Sequence, residues 1–77
     1  MDLATFLSIF HEQHEAVLDE PYQGDEDALE EAFVITDGDF DAEALESAFL
    51  EARVADAATW DVRFWEQLSS ALEEADV

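Results

Sequence analysis

Acidic side chains outnumber basic ones by 22 to 2 in this chain of 77 residues, and the formal net charge is −20. Charges of one sign repel one another and destabilise any compact state that brings them together. A chain with this balance folds only if its apolar residues supply an opposing free energy. The folded molecule then has a strongly anionic surface, which suits either a basic partner or an unusual solvent.

The apolar content is high enough for a folded core. Apolar residues make up 49% of the sequence and include six Phe, two Trp and one Tyr. Disordered acidic chains are poor in these residues. The length is that of one small domain, so we predict a single domain over 1–77. Because the chain has no Cys, no disulfide is available to stabilise that domain.

The spacing of apolar residues predicts a mostly α-helical fold with three or four short helices. The segments with this spacing are 3–18, 26–33, 42–54 and the chain after residue 61. Each is preceded by an aspartate that can act as N-cap: Asp2, Asp25, Asp41 and Asp61. Trp60 and Trp65 flank the last of these caps at the spacing of a hydrophobic staple. Thr59 is the alternative cap for that helix.

The second helix is expected to end near Phe33. A longer helix would place Val34 in the middle of an acidic face, so Val34-Ile35-Thr36 is expected to be extended. Asp37-Gly38 follows, and this dipeptide is typical of tight hairpin turns. A short β-hairpin around 33–41 is therefore an alternative to a simple helix–helix loop.

The carboxylates are concentrated in the middle of the chain, where 12 of the 22 lie within residues 19–46. Glu26–Glu30 and Asp27–Glu31 are like-charged i, i+4 pairs, and each destabilises a helix by a few tenths of a kcal/mol. Residues four apart are displaced by about 6 Å along a helix axis, and DNA phosphates advance by about 3.4 Å per nucleotide. Rows of carboxylates on two faces can therefore approximate the charge density of a duplex backbone.

The segments DEDALEEAF (25–33) and TDGDFDAEALESAF (36–49), together with the small size, resemble the class of acidic DNA-mimic proteins. Many members of that class are small phage or mobile-element inhibitors, including anti-CRISPR proteins, anti-restriction proteins and inhibitors of uracil-DNA glycosylase. The resemblance is one of composition and charge pattern, because these families share no common motif or fold. It implies a stoichiometric inhibitor that occupies a DNA- or RNA-binding surface of a host protein.

We therefore predict a non-enzymatic inhibitor of the phage anti-CRISPR or anti-restriction kind, acting in the cytoplasm of a host cell as a monomer or small homo-oligomer. Its expected partner is a CRISPR effector complex, a restriction enzyme or a similar basic nucleic-acid-binding protein. Nucleic acid and anionic membrane surfaces are excluded as direct ligands because both are polyanions. The expected partner-binding residues are nine carboxylates and one apolar residue: Glu26, Asp27, Glu30, Glu31, Asp37, Asp39, Asp41, Glu43, Glu46 and Leu50.

Leu50, Val54 and Ile9 fall outside the expected core faces. Scattered surface positions, or burial against a fourth element, explain them most simply. The functional alternative is an apolar anchor inside an acidic rim, which supplies contact energy that charge alone lacks.

Two other origins of the acidity stay open. The absence of Lys, the many acids and the many alanines are typical of haloarchaeal cytosolic proteins adapted to saturated salt. The 12 Glu against 10 Asp and the large aromatic residues count against that alternative. A third hypothesis is an acidic and aromatic segment that folds only on a partner.

No motif indicates a metal, a cofactor or a catalytic site. In His11-Glu12-Gln13-His14 the second His comes one residue too early for the H-E-x-x-H zinc motif, and His14 is instead expected to be packed and half-buried. The segment 37–48 has acids at positions 1, 3 and 5 of an EF-hand loop but lacks the Gly at position 6 and the Glu at position 12. No stretch approaches the about 20 apolar residues of a membrane span.

Overall fold

A computed structural model describes residues 1–76 of the chain. Within them the fold is a small single domain of four α-helices: α1 (Leu3–Leu18), α2 (Glu26–Thr36), α3 (Ala42–Glu51) and α4 (Val62–Ala75). A short 3₁₀ turn, Ala57–Thr59, connects α3 to α4. No strand occurs in this part of the chain. The predicted mostly α-helical class is therefore confirmed.

Aspartates cap the helices at the predicted positions. The Asp2 carboxylate accepts a hydrogen bond from the Thr5 N–H at 2.9 Å, and hydrogen bonding from Thr5 lowers the pKa of Asp2. Asp25 and Asp61 accept in the same way from backbone N–H groups of α2 and α4. Asp41 has the extended backbone of an N-cap but makes no capping hydrogen bond with its side chain. These caps explain why the helices begin where the sequence indicates.

The β-hairpin alternative does not form, because α2 continues through Thr36 and leaves Val34 72% exposed. Asp37 and Gly38 both have positive φ angles, 49° and 85°, as a hairpin turn of type I′ requires. Here the pair ends a helix instead, and the Asp37 N–H donates to the Phe33 carbonyl at 3.2 Å. The dipeptide favours these backbone angles, which serve a helix C-terminus as well as a hairpin.

Helix α3 ends at Glu51, three residues before the expected boundary, in a Schellman motif. Arg53 has a φ of 61°, and its N–H donates to the Leu50 carbonyl at 3.1 Å. The Val54 N–H then donates to the Phe49 carbonyl at 3.1 Å. The resulting chain reversal turns Val54 inward, where it is 5% exposed. Burial of Val54 therefore comes from the helix terminus and not from a helical face.

The core is built from aromatic side chains. Phe6, Phe10, Phe49, Phe64 and Trp65 are each 1% exposed or less. Neighbouring rings lie close together, with centroids 5.5 Å apart for Phe10 and Phe49 and 5.3 Å for Phe49 and Trp65. Full burial of such a side chain stabilises the fold by about 1.5–3 kcal/mol, and each ring pair adds about 0.5–1.5 kcal/mol. This core opposes the charge repulsion of the surface.

The predicted hydrophobic staple is present at the start of α4. The Trp60 and Trp65 ring centroids lie 5.4 Å apart, on either side of the Asp61 cap. Thr59 does not compete for the capping position, because its hydroxyl donates to the Asp56 carbonyl at 2.7 Å.

A buried hydrogen bond fastens the α2–α3 connection to α4. The Ser69 hydroxyl, in a residue 6% exposed, donates to the Phe40 carbonyl. Phe40 itself is 5% exposed. The bond joins residues 29 positions apart, so no local sequence signal indicates it.

We expect Ser69→Ala to lower the free energy of unfolding by about 1–3 kcal/mol, because it leaves a buried carbonyl without a donor. Urea unfolding followed by circular dichroism measures the loss. Ser70→Ala, at the exposed neighbouring position of α4, is the control and should change stability little. A loss in Ser69→Ala no larger than in the control would show that the bond is not important.

Candidate partner-binding surface

The nine predicted partner-binding carboxylates form what we call the acidic surface. Eight of them are exposed and Glu46 is half-buried. They occupy three consecutive parts of the chain: α2 (Glu26, Asp27, Glu30, Glu31), the α2–α3 connection (Asp37, Asp39, Asp41) and α3 (Glu43, Glu46). Because α2 packs against α3, the three parts are neighbours in the fold.

On α2, carboxylates and an apolar side chain share one exposed row. Asp27, Glu31 and Val34 follow one another at i, i+4 and i+7, which places them on the same side of the helix. Val34 is 72% exposed, and no other large apolar side chain in residues 1–76 is more exposed. The residue that the sequence pattern placed in a strand therefore continues an acidic row on the helix surface.

On α3, Glu43, Glu46 and Leu50 lie at i, i+3 and i+7 and form a second row. Leu50 is 45% exposed. The two carboxylates also border a shallow groove of about 340 Å³ against the start of α4, together with Val62 and Trp65. Val62 is 65% exposed. Exposed apolar groups thus lie beside the carboxylates on α3 as well as on α2.

The acidic surface is almost entirely without internal counter-charges. In the part of the chain that the structure describes, the N-terminal amine forms an ion pair with Asp76 at 3.2 Å. The imidazole Nε2 of His11 lies 3.2 Å from a carboxylate oxygen of Glu26. Within that part, Arg53 and Arg63 form no ion pair. Apart from Glu26, the carboxylates of the acidic surface therefore have no basic partner there, and their field extends into the solvent.

Some of these carboxylates also act on the local backbone. Asp39 accepts a hydrogen bond from the Asp41 N–H at 3.3 Å, and Asp37 is the left-handed C-cap of α2. A helix C-terminus carries a partial negative charge, so an aspartate there is unfavourable. Three of the four α-helices nevertheless end in one, at Asp19, Asp37 and Asp76, and none has a basic residue in its last turn. Asp76 is offset by its ion pair with the N-terminal amine, whereas Asp19 and Asp37 have no counter-charge among residues 1–76 and are unfavourable at these helix ends.

A second feature, which the sequence analysis missed, is a cavity of about 370 Å³ at the C-terminal end of α1. We call it the α1-end cavity. Its border includes three aromatic or imidazole rings and two carboxylates, from His14, Tyr22, Trp60, Glu20 and Asp56. The residues come from α1, the α1–α2 connection and the segment around the 3₁₀ turn, so only the folded chain brings them together.

His14 is more buried than predicted, at 4% exposed. Its Nδ1 lies 2.8 Å from the Glu20 carbonyl oxygen. A carbonyl can only accept a hydrogen bond, so Nδ1 is the protonated nitrogen and donates. This bond fixes the ring orientation and holds the α1–α2 connection against the end of α1.

Tyr22 is held in the same region by close packing. A Cβ atom at Gly24 would overlap the Tyr22 hydroxyl and also approach Ala55 to 2.9 Å, so the glycine is required for the ring position. Burial raises the pKa of Tyr22 above its ordinary value of 10.0, and the negative charges of Asp25 and Asp56 raise it further. The phenol is therefore neutral in the folded protein at physiological pH.

The described residues contain no cluster of three or more His, Asp or Glu side chains placed to hold a metal ion. Within residues 1–76, none of the helices has both the length and the apolar composition that a membrane span requires.

In comparisons with known proteins, no family model, no curated protein and no solved structure matches the chain.

We expect Asp37→Asn to raise the free energy of unfolding by about 0.3–1 kcal/mol, because it removes a negative charge from the C-terminus of α2 and Asn tolerates the left-handed conformation. Asp27→Asn is the matched control, since it removes the same charge from the N-terminal turn of the same helix. Thermal or urea unfolding of both variants measures the difference. Equal stabilisation by both substitutions would show that the change in the free energy of unfolding depends on total charge and not on the position of the charge in the helix.

We expect an absorbance titration of the single tyrosine to give a midpoint above the usual value of about 10. Because the folded pKa is the higher one, the stabilisation from Tyr22 is complete below the unfolded pKa and is lost as pH rises through the folded pKa. Asp56→Asn should lower the midpoint partway, since burial is the larger cause. Asp27→Asn should leave it unchanged, and an ordinary midpoint in the native chain would contradict the packing described.

Proposed function

We propose that this chain is a nucleic-acid-mimicking inhibitor, which uses the acidic surface to block a basic DNA- or RNA-binding surface on another protein. A phage-type anti-CRISPR or anti-restriction protein is the concrete form of the proposal. The observation that carries it is the set of exposed carboxylates on α2, α3 and their connection, which within residues 1–76 lack basic partners except at Glu26.

The carboxylates take the place of phosphates. A lysine or arginine that normally binds a phosphate oxygen can also bind a carboxylate through charge-assisted hydrogen bonds, and arginine can form two parallel bonds to it. The field of the whole anionic molecule also increases the rate of encounter with a basic groove. The protein then acts by occupying the groove in the cytoplasm of the host cell, as a monomer or small homo-oligomer, and needs no catalysis.

Exposed apolar side chains would fix the position of this chain on its partner protein. Val34, Leu50 and Val62 are exposed and lie on or beside the carboxylate rows. Burial of one such side chain contributes about 1.5–3 kcal/mol, and contacts of this kind dominate many interfaces. They supply the shape specificity that a diffuse negative charge lacks.

We expect the chain to bind a purified basic nucleic-acid-binding protein, such as a CRISPR effector complex or a restriction enzyme. Duplex DNA should compete with it for the same surface. Its affinity should fall by more than about tenfold as salt rises from roughly 50 to 200 mM, as for contacts that replace phosphates. Binding to none of these proteins, or binding unaffected by salt and by DNA, would contradict the proposal.

A matched pair of variants tests where the contact lies. Glu30→Gln/Glu31→Gln on α2 and Glu66→Gln/Glu74→Gln on α4 remove the same charge from exposed positions. The α2 pair should weaken binding by up to about fivefold per carboxylate, and the α4 pair should weaken it much less. Equal losses would show that only the total charge matters.

A further inference from the structure

We propose that the α1-end cavity binds the alkylammonium group of a lysine side chain. This inference rests on the proposed function only for the source of that lysine, which would be the basic partner protein. The cavity has a volume of about 370 Å³, within the usual range of about 300–1,000 Å³ for sites that take small ligands. It is therefore large enough for one long side chain.

Three rings border the cavity at steep angles to one another. The His14 centroid lies 5.6 Å from that of Tyr22 and 5.3 Å from that of Trp60, and the Tyr22 and Trp60 centroids are 6.3 Å apart. The three interplanar angles are 75°, 81° and 71°. The face of a Trp or Tyr ring attracts a cation within about 6 Å of its centroid through the ring quadrupole, so Trp60 and Tyr22 are the rings that attract the ammonium in this way. A lysine ammonium is a compact charge with three rotatable donors, whereas an arginine guanidinium is a planar group with donors in a fixed fork, so rings set at steep angles to one another fit the ammonium better.

Two carboxylates border the same cavity and supply negative charge. Glu20 and Asp56 are both exposed, and neither pairs with a cation in the part of the chain that the structure describes. Neither arginine borders the cavity, and the N-terminal amine is paired with Asp76. The described residues thus offer no internal cation to this site.

His14 provides an acceptor that nothing else in the described chain uses. Because Nδ1 donates to the Glu20 carbonyl, the neutral form of the ring has its lone pair on Nε2. This Nε2 has no hydrogen-bond partner within residues 1–76. It is also not among the fully buried polar side-chain atoms without a partner, where Nε1 of Trp65 is found. The His14 Nε2 therefore reaches solvent, although the residue as a whole is 4% exposed. Since His14 borders the cavity, we infer that Nε2 accepts a hydrogen bond from the ammonium group.

The direct test is an NMR titration with Nα-acetyl-lysine methylamide, followed on the His14 ring and the Trp60 indole. We expect saturable shifts at both rings with this probe. The norleucine analogue, which has a similar chain without the charge, should give none, and the arginine analogue should bind more weakly. Absence of shifts at the two rings, equal binding of norleucine, or tighter binding of arginine would overturn the proposal.

Asp56→Asn tests the contribution of charge without disturbing the backbone. Asp56 has a φ of 64°, a conformation that Asn tolerates. We expect this variant to weaken binding of the lysine probe by up to about fivefold, the upper range of an exposed ion pair. Glu66→Gln on α4 removes the same charge elsewhere and should leave the affinity unchanged. An equal loss in both variants would overturn the assignment to this cavity.

Gly24→Ala tests the aromatic wall, because its methyl group displaces Tyr22. We expect binding of the lysine probe to be lost while the helical circular dichroism spectrum is retained. Undiminished binding by this folded variant would count against the site.

The two proposals fail separately. If the probe binds in the cavity but the chain binds no nucleic-acid-binding protein, the lysine site stands and the proposed function is wrong. If the chain binds such a protein in a salt- and DNA-sensitive way but the probe leaves both rings unshifted, the lysine site alone is wrong.

Discussion

Aromatic packing between the helices is the interaction on which the rest of the molecule depends. Phe10 lies at its centre, with ring centroids 5.5 Å from Phe49, 5.8 Å from Trp60 and 6.1 Å from Phe64. These contacts join α1 to α3, to the 3₁₀ segment and to α4. They bring together helices whose outer faces repel one another, since the chain has a net charge of −20. Without this core the acidic surface would belong to an extended chain and would have no fixed shape.

The placement of the carboxylates indicates that they are not there to stabilise the fold. Aspartates at the N-caps do stabilise the helices, but Asp19, Asp37 and Asp76 lie at helix C-termini, where negative charge is unfavourable. The Glu26–Glu30 and Asp27–Glu31 pairs on α2 are repulsive as well. Carboxylates that lower stability at several points are consistent with the proposed role of the acidic surface in binding a basic partner.

The sequence predicts the helices well where local chemistry decides them. The bounds of α1 and the capping role of Asp61 follow from apolar spacing and from N-cap preference. The end of α2 could not be predicted, because Asp37-Gly38 favours backbone angles that suit a hairpin and a helix terminus alike. The α1-end cavity and the Ser69–Phe40 hydrogen bond depend on residues far apart in the chain, so only the packed helices reveal them.

We propose that the acidity serves a partner and not concentrated salt, which requires the core to fold on its own in dilute buffer. Thermal unfolding followed by far-UV circular dichroism at about 0.15 M salt, near physiological ionic strength, and again at molar salt tests this most directly. We expect a helical spectrum and one cooperative transition at the lower salt concentration. The midpoint temperature should rise modestly at molar salt, because the salt screens the charge repulsion. A chain that is unfolded at the lower salt and becomes helical only at molar salt would contradict the claim and identify the acidity as an adaptation to solvent.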